Sequence, residues 1–377
     1  MSSIGTFKNV AIVVYGKKSN TLNAEALPGK RLFPNENEES LTFRLIKQGR
    51  RTAWSSNATA QSITDGVLTR MPFIQGADIM PRTLVFHKAI CQPNGKWNIT
   101  PLPRKGDVLS YLVSNEKKNK GFAVTAHNVD DIFMYECFLS KHILPFIACA
   151  PAKALLPMKK NGSVYTVINE AEIASLGSGS SAVFAKIFAE TGENAAQYFD
   201  RVNTRNKLNP QHFTSCSDSM HLVMVGAGGG YPCAAYVPMS KLNLEKTIID
   251  QTLYWYIASS EDEALYICAL LNSRALNEII ADFQPVGAMG RRHVHTLPYA
   301  VTPTYDSSNP AHVLVVEKAR ALMAQIENEG NDKLSVVARH VAPSQSTLAV
   351  RRRKVREFIV SLPESIEYED ACKSVYN

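Results

Sequence analysis

The chain has 377 residues, of which 45% are hydrophobic and 20% charged, and its formal net charge is +7. This length accommodates two or three domains with a substantial core, and the composition excludes wholesale disorder. No window has the length and apolarity of a membrane span, and Met1-Ser2-Ser3-Ile4-Gly5-Thr6 lacks the charged-then-apolar order of a signal peptide, so a cytoplasmic location is expected. The surplus of cations favours a polyanionic partner. The seven cysteines are scattered, with no two-residue spacing of the zinc-knuckle or redox kind, and read as reduced thiols in apolar company.

In chain order, the apolar run at residues 10–15, ended by Gly16-Lys17-Lys18, reads as a buried strand, and residues 32–39 as an exposed loop. Thr83-Leu84-Val85-Phe86 predicts a further strand. Asn94-Gly95, set between Ile90-Cys91 and Trp97-Asn98-Ile99, predicts a tight hairpin, because both central residues of that turn take positive φ. Lys117-Lys118-Asn119-Lys120 reads as a basic loop. The spacing of Phe133, Cys137 and Ile143 predicts a helix over residues 130–144. Thr166-Val167-Ile168 predicts a short strand, residues 177–181 a Gly/Ser turn or linker, and residues 182–199 a helix that Gly192 interrupts.

A strand at residues 221–225 runs into Gly226-Ala227-Gly228-Gly229-Gly230, and Tyr231 to Tyr236 reads as the next strand. A dinucleotide or methyl-donor loop needs a helix beginning at the last glycine; a glycine hairpin, or a close approach to a DNA backbone, fits better. Residues 252–257 predict another strand. The clearest helix opens at Ser259-Ser260-Glu261-Asp262-Glu263, with capping hydroxyls and first-turn acids, and carries Cys268, Leu271, Ala275, Ile279 and Phe283 along one face. Asn309-Pro310 opens a helix to about residue 326, and residues 348–362 form the last predicted helix. The expected fold is mixed α/β: a strand-rich region over 1–150, an α/β region over 151–300 and a helical segment over 301–377.

No Walker loop, paired-histidine zinc motif, nucleophile elbow or nuclease carboxylate cluster is present, so no metal or cofactor is expected. Asn209-Pro210-Gln211-His212 lacks the second proline and the aromatic of an amino-methyltransferase tetrapeptide, whose ring stacks on a flipped base. The expectation is a chain that is not an enzyme by itself. Three basic clusters carry more information. Residues 201–211 interleave Arg201, Arg205 and Lys207 with Asn206 and Gln211, cations suited to phosphates and guanine edges beside amides suited to adenine edges. Gly287-Ala288-Met289-Gly290 precedes Arg291, Arg292, His293 and His295. Arg351-Arg352-Arg353-Lys354-Val355-Arg356 lies in the last predicted helix, fit equally for DNA backbone, solvent or an acidic partner.

Four stretches together resemble the target-recognition region of N6-adenine DNA methyltransferases and Type IIG-like restriction-modification enzymes. They are Gln75-Gly76-Ala77-Asp78-Ile79-Met80-Pro81-Arg82-Thr83-Leu84-Val85-Phe86; residues 206–211; Glu261-Asp262-Glu263-Ala264-Leu265-Tyr266-Ile267-Cys268-Ala269-Leu270-Leu271-Asn272-Ser273; and Arg292-His293-Val294-His295-Thr296-Leu297-Pro298 followed by Tyr305-Asp306 and Asn309-Pro310-Ala311-His312. The resemblance covers roughly residues 70–325. It implies a module that reads double-stranded DNA for a methyltransferase catalytic partner, in a restriction-modification or phage-defence system. The catalytic motifs of that family are missing. The expected contact set is Arg201, Arg205, Asn206, Lys207, Gln211, Arg291, Arg292 and His293, with Arg82 and Lys88 beside it. The rival readings are a nuclease with a dispersed metal site and a defence-complex scaffold without DNA affinity.

Overall fold

The computed structural model describes residues 26–32, 38–48, 51–55, 73–105, 107, 109–114, 121–228, 231–281, 286–287, 290–291, 302–333 and 348–376. The expectations for residues 10–15, 117–120 and 292–298 lie outside them. The fold is mixed α/β, with a helical C-terminus.

Strands β1 (Ala26–Leu32), β2 (Glu38–Gln48) and β3 (Arg51–Ser55) form an antiparallel sheet. Next come β4 (Ile74–Gln75), a single helical turn α1 (Arg82–Val85), and the antiparallel strands β5 (His87–Cys91), β6 (Trp97–Pro101) and β7 (Ala126–Val129). The hairpin closes β5 on β6 where the Asn94-Gly95 dipeptide places it, but Gly95 alone is left-handed, at φ +76°, after a turn in which Gly95 N–H returns to the Gln92 carbonyl. Residues 83–86 correct the sequence reading: Thr83, Leu84 and Val85 lie in α1, the extended Phe86 bridges to Ala154, and the strand begins at His87. The extended residue Pro81 caps the turn, and Phe86 N–H returns to the Arg82 carbonyl.

Residues 130–144 also correct it. They hold β8 (Met134–Phe138) and β9 (Ile143–Leu144), each preceded by a single 3-10 turn, and not the expected α-helix. The spacing of Phe133, Cys137 and Ile143 suits a helical face, but the three fall in separate elements: Phe133 ends a 3-10 turn, Cys137 lies in β8 and Ile143 opens β9. Tertiary pairing decides. β8 is central, antiparallel to β11 (Ala152–Leu155) and parallel to β16 (Thr247–Ile249), so all of its residues but Glu136, which pairs with Lys153, are buried. A two-stranded pair joins β9 to β10 (Ile147–Ala148), and another joins β12 (Met158–Asn161) to β13 (Val164–Val167).

Helices α2 (Glu170–Leu176), α3 (Ser178–Thr191) and α4 (Ala195–Val202) follow. The Gly/Ser stretch is the start of α3 and not a linker. Its small residues let the helix lie against β7: a Cβ on Gly179 would stand 2.0 Å from the His127 carbonyl oxygen. Ser180 Oγ donates to Asp130 Oδ2 at 2.7 Å. Gly192, at φ +68°, ends α3 as the sequence indicates.

The sheet that organises the rest has the order β15 (Ala234–Pro238), β14 (His221–Gly226), β17 (Leu253–Ala258), β4, and all its pairings are antiparallel. Alternation along β14 sends Val223 and Val225 to one face, and Leu222 and Met224 to the other with Trp255. The first face is covered by α5 (Glu261–Asn272), α6 (Arg274–Ala281), α7 (Pro310–Lys333), α8 (Leu348–Ser361) and α9 (Glu364–Ser374). In α5, Ser260 Oγ accepts from Glu263 N–H, and every residue from Glu263 to Leu271 is buried. Between α6 and α7 a short hairpin pairs β18 (Val286–Gly287) with β19 (Gly290–Arg291).

Candidate nucleic-acid interface

A short helical turn after α4 carries Arg205 and Asn206, both exposed and both left-handed, at φ 59° and 55°. Asparagine tolerates this region; arginine adopts it at a cost of about 1 kcal/mol or more. The residues on either side hold the turn. Asn203 Oδ1 accepts from Leu208 N–H at 2.9 Å, and Asn209 Nδ2 donates to Asn206 Oδ1 at 2.5 Å. Behind it, Leu208 and Gln211 are fully buried. Gln211 Oε1 accepts from Ile249 N–H at 2.6 Å, and its Nε2 donates to the carbonyls of Ile249 and Lys207.

This geometry sorts the expected contact residues. Gln211 is withdrawn from the contact set, because both ends of its amide complete the edge of β16. Arg201 is tied to Glu193 through three contacts of 2.9–3.1 Å, donates to the Met80 carbonyl and lies 4.4 Å over the Tyr198 ring. Its role is to fasten α4 to the chain before α1. Arg82 Nη2 meets Asp250 Oδ1 at 3.2 Å, with Asp250 wholly buried; burial pushes that carboxyl upward, and Arg82 opposes the shift. Lys88 is exposed on β5. Arg291 is on β19, and Arg292 and His293 lie outside the described residues.

Lys207 stands at the foot of the left-handed turn and donates to Gln75 Oε1 at 2.7 Å; burial, then Arg205, lowers its pKa. Gln75 Nε2 passes to the Gln251 carbonyl at 3.0 Å, and Gln251 Nε2 donates to Asp78 Oδ1 at 2.5 Å. Gln251 and Thr252 line a cleft of about 890 Å³. The turn and the cleft are therefore joined by one line of polar side chains.

One wall of the cleft is Ala227 and Gly228 of the glycine run, with Tyr231 beside them; the other is α8, through Ala349, Arg352, Arg353, Arg356 and Val360. The sequence shows a glycine run and a basic helix more than a hundred residues apart, and gives no sign that they face each other. Arg352 is 6% exposed. It donates to the carbonyls of Ser140 at 2.9 Å, Ile143 at 3.1 Å and Gly228 at 3.4 Å. Gly226 makes room for it: a Cβ there would stand 2.9 Å from Nη2. Arg351 donates to the Lys141 carbonyl, and Arg356 to that of Pro232 while resting 5.2 Å over the Tyr231 ring. Among the described residues no carboxylate lies within ion-pair distance of Arg351, Arg352 or Arg356. Half of the basic helix is thus a clamp on backbone carbonyls, while Arg353 and Lys354 face solvent.

The cations leave an electrostatic mark. His142 is held down to about 3 by burial first, then by Arg351, Arg82 and Lys141. Lys141 itself falls to about 8, by burial and then by Arg82. Among the described residues no group of three or more His, Cys, Asp or Glu side chains is placed to hold a metal ion, and no helix is long and apolar enough to cross a membrane. Cys137, Cys233, Cys268 and Cys372 are buried free thiols, and Cys91 is exposed.

The stretches that carry the family resemblance meet in pairs. Gln75 and Lys207 share the hydrogen bond above, and Tyr266 of α5 packs on Tyr305 and His312 with ring centroids 5.3 and 4.7 Å apart. No protein-family model and no curated protein matches the chain. Among solved structures it is similar to the Type IIL restriction-modification enzyme MmeI in complex with DNA, at 14% identity and a TM-score of 0.38. The match covers 93% of this chain but only 42% of that enzyme, so the chain spans less than half of its length. A likeness at this level carries no functional argument by itself.

Proposed function

We propose that the chain binds double-stranded DNA as the target-recognition module of a methylation or restriction-modification system, with the chemistry supplied by a methyltransferase partner. The observation that carries this reading is the braced left-handed turn. It projects Arg205 and Asn206 side by side from a buried anchor, so the two side chains enter a groove already oriented. Arginine suits the two acceptors of guanine, while Asn206, whose Oδ1 already accepts from Asn209, keeps its Nδ2 to donate to a base-edge acceptor. Lys207 at its foot supplies charge for phosphates, as do Lys88, Arg291 and Arg292 in the same proposal, with His293 a further contact.

The test is anisotropy of labelled duplexes, of random and of host sequence, titrated with the full chain at several salt concentrations. Wild type is expected to bind with an affinity that falls steeply as salt rises. The double variant Arg205→Ala/Asn206→Ala should lose about 1–3 kcal/mol of discrimination per base contact, while Lys207→Ala should flatten the logarithmic salt slope by about 0.9. Failure of wild type to bind any duplex, or equal binding and discrimination by the double variant, would overturn the proposal.

A further inference from the structure

The arginine-lined cleft is a second site, physically distinct from the left-handed turn, and its lining is unusual for a surface that only neutralises phosphates. Ala227, Ala349, Val360 and the Tyr231 ring give it an apolar body, and three guanidiniums stand along one side. The one acid in the lining, Glu357, lies 3.6 Å from Arg353, both side chains being about two-thirds exposed. Such a loose contact yields readily to an incoming anion. Tyr231 is 56% exposed and has the Arg356 guanidinium over its ring. An exposed aromatic braced by a cation is a platform on which a flat ring stacks.

Uncommitted hydrogen-bonding groups complete the lining. The hydrogen bonds of Arg352 use three of its five N–H groups, all on carbonyls. Gln251 spends its amide nitrogen on Asp78, and its Oε1 has no partner among the described residues; the same holds for Ser140 Oγ. An inorganic anion would satisfy the guanidiniums but leave the apolar walls bare. A simple apolar ligand would leave buried guanidiniums without a counter-charge. The volume, about 890 Å³, lies within the range of small-molecule sites. The ligand that meets all of these demands is planar, carries hydrogen-bonding edges and ends in a phosphate.

We propose that the cleft between the glycine run and α8 binds a single nucleotide, its base stacked on Tyr231 and its phosphate held by Arg353 and the free N–H groups of Arg352 and Arg356. Two sources present this chemistry: a free nucleoside monophosphate, and an unpaired nucleotide within a nucleic-acid strand. The site needs neither Arg205 nor Asn206, so it stands or falls apart from the duplex-binding proposal.

The experiment is calorimetric titration of the full chain with the four deoxynucleoside 5′-monophosphates, a single-stranded heptanucleotide and inorganic phosphate. Binding of a monophosphate identifies a free-nucleotide site; binding of the heptanucleotide alone identifies a strand site. Either supports the proposal if Tyr231→Ala and Arg353→Ala each weaken it at least tenfold while Arg205→Ala does not. Both substituted positions in the cleft are exposed, so a folding defect does not confound them. Three outcomes would overturn it: no binding of either probe, binding insensitive to Tyr231, or inorganic phosphate binding as tightly as the nucleotides.

Discussion

Replacing Arg352 with alanine measures how α8 is attached to the sheet. Two of its hydrogen bonds, to Ser140 and Ile143, are short and charge-assisted, and the third, to Gly228, is long. Each short bond contributes about 1.5–3 kcal/mol, and removing the donor leaves the carbonyls at Ser140 and Ile143 without that partner. An opposing effect is the relief of burying a guanidinium that has no carboxylate, several kcal/mol before its hydrogen bonds are counted. The bonds are good enough to outweigh it, so Arg352→Ala is expected to destabilise by about 3 kcal/mol. Urea unfolding followed by tryptophan fluorescence reports it, since Trp255 lies in the adjoining sheet. Gly226→Ala should cost part of the same energy, because its methyl group would stand 2.9 Å from Nη2 and push the guanidinium off its carbonyls by a few tenths of an ångström. Arg353→Ala, one residue along but exposed, should cost under about 0.5 kcal/mol. A loss below about 1 kcal/mol at Arg352, or equal losses at Arg352 and Arg353, would refute the clamp.

Other consequences follow from single contacts. Gly179→Ala drives a methyl carbon into backbone oxygen and should destabilise by more than about 2 kcal/mol, or shift α3 from β7; unfolding midpoints within error of wild type would contradict the packing. Ser260→Ala removes the cap of α5 and should cost about 1 kcal/mol in the same assay. His142 and His87 set the acid limit. The Nδ1 of His142 accepts from Leu139 N–H and its Nε2 donates to Tyr111 Oη; His87 Nε2 donates to the Leu84 carbonyl. Both rings are held neutral, His87 down to about 4 and His142 to about 3, in each case chiefly by burial. Because the unfolded rings take up protons near 6.5 and the folded ones resist, the stability they contribute is complete above pH 6.5. It is lost as pH falls from 6.5 to about 4 for His87 and to about 3 for His142, at about 1.4 kcal/mol per pH unit for each ring. Imidazole NMR signals should show two rings that do not titrate above pH 5; titration of either ring near 6.5 refutes this.

What the sequence determined by itself is local. Asn94-Gly95 closes its hairpin and Gly192 ends its helix because each conformation depends on one or two residues. Ser260 and the acids after it start α5 for the same reason. Where pairing partners lie far along the chain, pattern alone misleads. The spacing at Phe133, Cys137 and Ile143 suits a helix, but pairing with β11 and with β16, whose residues lie 111 positions from their partners, makes residues 134–138 a strand. The candidate site follows the same division. Composition and the cluster at residues 201–211 already marked Arg205, Asn206 and Lys207, and the exposure of the first two rests on a turn braced by its immediate neighbours. Gln211 resembled them in type but is spent on Ile249, a residue 38 positions on. The cleft was legible only as two unrelated runs, glycines and arginines. That they face each other is decided by the packing of α8 on the β14 sheet, because side chains distant in sequence become one site only when the core between them forms.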